Sequence, residues 1–205
     1  MSAAESAVQT PVPARRVAGR LQTIAVLAVT GVIIAVAAVV MGGGGFGQND
    51  GVTQVDLTGS VAGAAPVVGA IPPGFSAVTA DGKTVNLADY AGKPLWLTFG
   101  ASWCPDCRAE APDVEAAYQK YKDQGLNVLG VFISENASDI SSYAGRVGFT
   151  FPIAVDQNTK IASAYRTMGI PTHFFIGADG KIKDVKIGAL DPATMDTEIQ
   201  GILGK

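Results

Sequence analysis

Cysteine is scarce in this chain of 205 residues: it has two, with a single histidine. A structural zinc site takes four Cys or His ligands, and these three side chains fall short of that. Charge is also sparse. Only 16% of residues are charged and the net charge is -3, so the composition offers no basic face for nucleic acid. Against so few charges, 48% hydrophobic residues call for an apolar segment beyond an ordinary core.

That segment is LQTIAVLAVTGVIIAVAAVVM, residues 21–41, which contains no charged side chain. As a helix it would span about 31 Å, close to the hydrocarbon thickness of a bilayer. Arg15, Arg16 and Arg20 precede it, and the positive-inside rule then leaves the N-terminus in the cytoplasm and everything after the span outside. Ala35-Val36-Ala37 resembles a signal-peptide cleavage site, but the apolar core of such a peptide is shorter, roughly 7–15 residues. A retained anchor is the expectation. The reading is therefore a cytoplasmic tail (1–20), a transmembrane anchor (21–41), a flexible linker rich in Gly and Ala that opens with GGGG (42–70), and a compact domain (71–205).

Within that domain, FSAVTADGKTVNLADYAG predicts a hairpin with its turn at Asp81-Gly82 and then one helical turn. KPLWLTFGA and NVLGVFI are apolar runs of buried-strand length. A helix is expected from Cys104 to about Gln124, with Gly125 as its C-terminal cap. Ser138 is the expected cap of a helix reaching Val147, and Asn158 that of a short helix through Tyr165. FPIAVD reads as a short strand, THFFIGADGKIKDVKIG as a strand–turn–strand, and Asp191-Pro192 as the start of a final helix. Strands alternating with helices and closing on a hairpin give an α/β domain with a mixed central sheet flanked by helices.

Both cysteines lie in SWCPDCRAEAP. A ring closed over so few residues constrains the unfolded chain little, so the pair makes a poor structural staple. A redox dithiol fits the context. A strand leads directly into Cys-x-x-Cys at a helix start, which places Cys104 where backbone N–H groups and the helix dipole stabilise a thiolate. Cys104 is then the exposed nucleophile that forms a mixed disulfide with a partner, and Cys107, facing inward, resolves it. A buried thiol resists ionisation, and Glu110, three residues later on the same helical face, is the candidate acceptor of its proton. Asp106 opposes a thiolate at Cys104 and Arg108 favours it. Downstream, Ile170-Pro171 opens an apolar strand, a position that suits a cis-proline bend beside the dithiol.

TFGASWCPDCRAEAP, GIPTHFFIGADGKI and the N-terminal anchor together resemble the TlpA/ResA type of membrane-anchored, thioredoxin-like thiol-disulfide oxidoreductases. The resemblance covers roughly residues 71–205 and implies a thioredoxin-like fold with an N-terminal hairpin and an αβ insertion near 134–156. It also implies catalytic roles for Cys104, Cys107 and Glu110, and client binding by Trp103, Pro105, Ile170 and Pro171. The redox-active disulfide is then the only redox group, with no metal and no other cofactor. The partners it implies are extracytoplasmic client proteins with disulfides, apocytochrome c among them, and a membrane thiol carrier as electron donor. One departure stands out: the position of thioredoxin's buried aspartate holds Thr98. A thiol peroxidase of related fold would carry Thr and Pro where this chain has Ala101 and Leu97. A DsbA-like oxidant or isomerase and a copper-binding module that uses His173 as an added ligand are the remaining alternatives.

Overall fold

The structure, a computed structural model, describes residues 54–58 and 65–204. Three short strands come first: β1 (Val55–Thr58), β2 (Gly74–Val78) and β3 (Thr84–Asn86), followed by a 3-10 turn at Leu87–Tyr90. Next are β4 (Leu95–Gly100), α1 (Pro105–Tyr121), β5 (Asn127–Ile133), α2 (Ala137–Val147) and β6 (Ile153–Asp156). The chain closes with α3 (Lys160–Ala164), β7 (Thr172–Ile176), β8 (Ile182–Ile187) and α4 (Pro192–Leu203).

β4 lies at the centre of a five-stranded sheet of order β6-β5-β4-β7-β8, parallel to β5 and antiparallel to β7. A central strand is covered on both faces, so LWLTFG is buried throughout and shows no polar alternation. β1, β2 and β3 form a separate antiparallel sheet, and an isolated bridge from Thr79 to Ala154 links this part of the chain to β6. Leu95, Leu97 and Phe99 point to one face of the main sheet, where Phe75, Val85, Ile161 and Phe174 complete a core. Trp96 points to the other, against Val114 of α1, Ile140 of α2 and Met195 of α4. Each large side chain buried this way contributes roughly 1.5–3 kcal/mol.

The expected hairpin forms, with Gly82 supplying a φ of 82° at its turn. Gly125, at φ 99°, caps the 3-10 turn that ends α1. Three local expectations are corrected. The cap of α2 is Asn136, whose side chain accepts from the Asp139 N–H, so Ser138 falls inside the helix. The cap position of α3 is Thr159 rather than Asn158, and it makes no side-chain cap bond. The buried Asp156 carboxylate takes the Ile161 and Ala162 N–H groups instead. The stretch 42–70, read as linker, contributes β1, which pairs with β2; Gly69 N–H donates to the Ile182 carbonyl at 2.8 Å. The anchor 21–41 and the tail 1–20 lie outside the described residues, among which no helix is long and apolar enough to cross a membrane.

Candidate active site

Cys104 and Cys107 are joined as a disulfide, with their Cα atoms 5.3 Å apart. Cys104 is the N-cap of α1 and Pro105 occupies the first turn, where its missing N–H costs nothing. The Cys107 N–H donates to Cys104 Sγ at 3.2 Å. The sulfur thus takes the place of a capping oxygen, and a thiolate there would meet the same N–H and the positive end of the helix.

Exposure does not separate the two cysteines as expected: Cys104 is 4% exposed and Cys107 7%. In the disulfide Cys104 is covered by the loop before β7. Its Sγ lies 3.7 Å from the Ile170 carbonyl oxygen, and Ala101, Ile133 and Ile170 pack around the pair. The Ile170–Pro171 peptide is cis. That loop is pinned by the Thr172 hydroxyl, which donates to the Gly169 carbonyl at 2.6 Å, and by the Gly188 N–H, which donates to the Pro171 carbonyl at 2.8 Å. Pro105 is exposed at the helix start. Trp103 is 54% exposed beside Cys104, and Met168, at 92%, stands on the loop that carries Ile170. Ile187 is exposed too, opposite Thr172 in the ladder. The sequence reading found Trp103 and Ile170 but not Met168, an isolated apolar residue in a loop, or Ile187, which ends a strand like any other β-branched residue.

Beneath the disulfide lies a buried polar layer. On β4, Trp96, Thr98 and Gly100 share one face. A Cβ on Gly100 would sit 3.6 Å from Cys107 Sγ, so Gly100 marks the level of the disulfide. Thr98, one step down, is paired with His173 on β7, and Trp96 with Phe175 below them. On α1 the matching step down from Cys107 is Glu110, which is buried. Its Oε2 accepts the Leu190 N–H at 3.0 Å and lies 3.5 Å from His173 Nε2. The Trp96 indole N–H donates to His173 Nδ1 at 3.2 Å, and Thr98 Oγ1 is 3.0 Å from the same nitrogen. His173, weighed as an added metal ligand, is thus fully buried with Nδ1 engaged. The position of thioredoxin's aspartate holds a threonine, and the carboxylate of this layer comes from α1.

Sequence reading also missed Glu135. Ser134 takes a left-handed φ of 57°, which turns the chain after β5. The buried Glu135 then reaches the loop before α1, where its Oε1 accepts the Ser102 N–H at 2.7 Å and its Oε2 accepts the Ser102 hydroxyl. This contact fixes the approach to Cys104. An acid two residues past a buried strand gave no signal by itself.

A family model described as AhpC/TSA family matches residues 68–185. The thiol-disulfide oxidoreductase ResA of Geobacillus kaustophilus is 32% identical over 138 residues, covering 67% of this chain and 79% of that protein. ResA of Bacillus subtilis is 30% identical over 60% of this chain and 68% of its own. Among solved structures, a thiol:disulfide interchange protein of the thioredoxin family from Chlorobium tepidum superposes with a TM-score of 0.61 at 30% identity, over 70% of this chain and all of that one. StoA from Bacillus subtilis gives 0.55 at 25% identity, over 63% of this chain and 98% of its own. The chain belongs to the AhpC/TSA family, as a ResA-like thiol-disulfide oxidoreductase with a thioredoxin-like fold.

Proposed function

We propose that this chain is an extracytoplasmic reductant of client-protein disulfides, apocytochrome c among them, held at the membrane by residues 21–41 and re-reduced by a membrane thiol carrier. The observation that carries the reading is the buried Glu110 carboxylate one helical turn below Cys107, where a resolving thiol needs a base. Cys104 thiolate attacks one sulfur of a client disulfide; a bond forms between Cys104 and the client, and the client's own S–S bond breaks. Cys107 then gives its proton to Glu110, its sulfur bonds to Cys104 Sγ, and the Cys104–client bond breaks. The client leaves with two thiols, having gained two electrons from the dithiol, one proton that Glu110 passes on and one from solvent in place of the proton Cys104 had already lost, and the dithiol is oxidised to the Cys104–Cys107 disulfide. Trp103, Pro105, Ile170 and Pro171 form the apolar surround that receives the client chain.

The three arginines before the apolar span support the outer compartment. No fixed ligand beyond the disulfide is needed for any step. The reduction potential tests the direction of electron flow. A value near that of thioredoxin, about -270 mV, supports a reductant, and one near that of DsbA, about -120 mV, overturns it in favour of an oxidant. Cys107→Ser in cells should freeze clients as mixed disulfides at Cys104 and identify them by mass spectrometry.

A further inference from the structure

His173 is fully buried, yet its Nε2 has no hydrogen-bond partner. An indole nitrogen carries a hydrogen and has no lone pair to accept with, so the Trp96 contact at 3.2 Å requires a bare Nδ1. The imidazole proton is therefore on Nε2, which faces Glu110 Oε2 at 3.5 Å. That is too long for a formed hydrogen bond and too short for a water between the two atoms. Nothing else in the layer offers this N–H an acceptor. Both contacts to the Glu110 carboxylate, from Leu190 and from His173, fall on Oε2, and neither engages Oε1.

We propose that His173 is a positioning residue for proton transfer at Cys107: its Nε2–H, locked in that tautomer by Trp96, closes on Glu110 Oε2 when the dithiol is reduced and holds Oε1 toward the Cys107 thiol. This rests on Glu110 being the base for Cys107. His173 keeps its own proton throughout, and the one that moves passes between Cys107 Sγ and Glu110 Oε1. The other charged groups around the layer are accounted for. Lys186, opposite His173 on β8, is held by Asp184 at 2.7 Å and by Glu198 of α4 at 3.0 Å. On the far side, Arg108 of α1, Glu135 and Arg146 act, with Glu110, on Tyr143 of α2. None of them is hydrogen-bonded to Nε2.

The full chain, purified in detergent and reduced, is mixed with dithiobis-nitrobenzoate in a stopped-flow instrument. The first coloured thiolate reports attack by Cys104 and the second reports resolution by Cys107. His173→Leu should slow the second phase about tenfold, the effect of losing one hydrogen bond to a charged group, and move its pH–rate profile while the first phase stays unchanged. His173→Gln, which keeps an N–H at the position of Nε2, should restore most of the rate. If His173→Leu and His173→Gln are slowed alike with an unmoved pH profile, His173 serves packing alone and the proposal fails. The chain has one histidine, so NMR of the wild-type imidazole keeps the test open even if a variant does not fold. An Nδ1-protonated tautomer, or an Nε2–H resonance that reduction leaves in place, overturns the proposal. Glu110→Gln separates the two ideas. A second phase as fast as wild type sinks Glu110 as the base, whereas a slow one beside normal His173 variants sinks only the role of His173.

Discussion

Asp156 and His173 are both fully buried, on opposite faces of one sheet, and the fold treats them differently. Asp156 shares its face with Ala154 and the apolar core, and each of its oxygens accepts an amide, from Ile161 at 3.1 Å and from Ala162 at 2.9 Å. His173 faces α1, and its Nε2 is left without a partner. Buried polar groups are almost always hydrogen-bonded. The pair shows how a polar group that serves the fold differs from one beside the chemistry: the first is satisfied at rest, and the second keeps a donor in hand.

The division into a core face and a site face is broken most directly by mutating each in turn. Leu97→Ala, on the core face, should lose about 2–5 kcal/mol of stability, the usual range for deleting a fully buried leucine. A shifted denaturant midpoint would show it, while the rate per folded molecule is kept. Glu110→Gln, on the site face, should do the reverse. Loss of a positioned base slows resolution by at least about 10², near 2.7 kcal/mol on that barrier, with the midpoint moving far less. If Leu97→Ala slows the chemistry of the folded protein, or Glu110→Gln acts only through stability, the two faces are not separate in function.

Much of this division was legible in the residues themselves. KPLWLTFGA reads as a buried strand because six consecutive positions are covered on both sides. The strand–Cys-x-x-Cys–helix order placed the disulfide, and the i, i+3 spacing placed Glu110 beneath Cys107. The rest depends on contacts between segments far apart in the chain. Trp96 and His173 are 77 residues apart and meet only across the β4–β7 ladder, so nothing local to TMGIPTHFF separates a histidine of the polar layer from one that is merely packed. Glu135 reaches Ser102 across 33 residues, through a left-handed turn at Ser134 that a non-glycine residue rarely takes. VDLT is short and lies in Gly- and Ala-rich sequence, so by sequence alone it belongs to the linker; its pairing with β2 decides it.

The smallest expected effect concerns the satisfied member of the pair. Burial pushes the Asp156 carboxyl above its ordinary value of 3.8, and the amides of Ala162 and Ile161 pull it back only in part. A carboxyl whose folded value is raised binds its proton more tightly in the native chain than in the unfolded one. Its contribution to stability is therefore greatest at low pH, and it declines as pH rises through the ordinary value and up to the raised one. Asp156→Asn keeps an acceptor for one α3 amide and has no proton to lose, so it lacks this slope. Denaturant melts of the two proteins between about pH 4 and pH 7 should show the wild type losing stability relative to the variant as pH rises, with the rate of the Cys107 step the same in both. A difference that stays flat with pH would mean the α3 amides and the Lys160 charge fully offset the cost of burial. A changed rate at Cys107 would mean that the core face reaches the dithiol after all, and the contrast between Asp156 and His173 would then be one of degree.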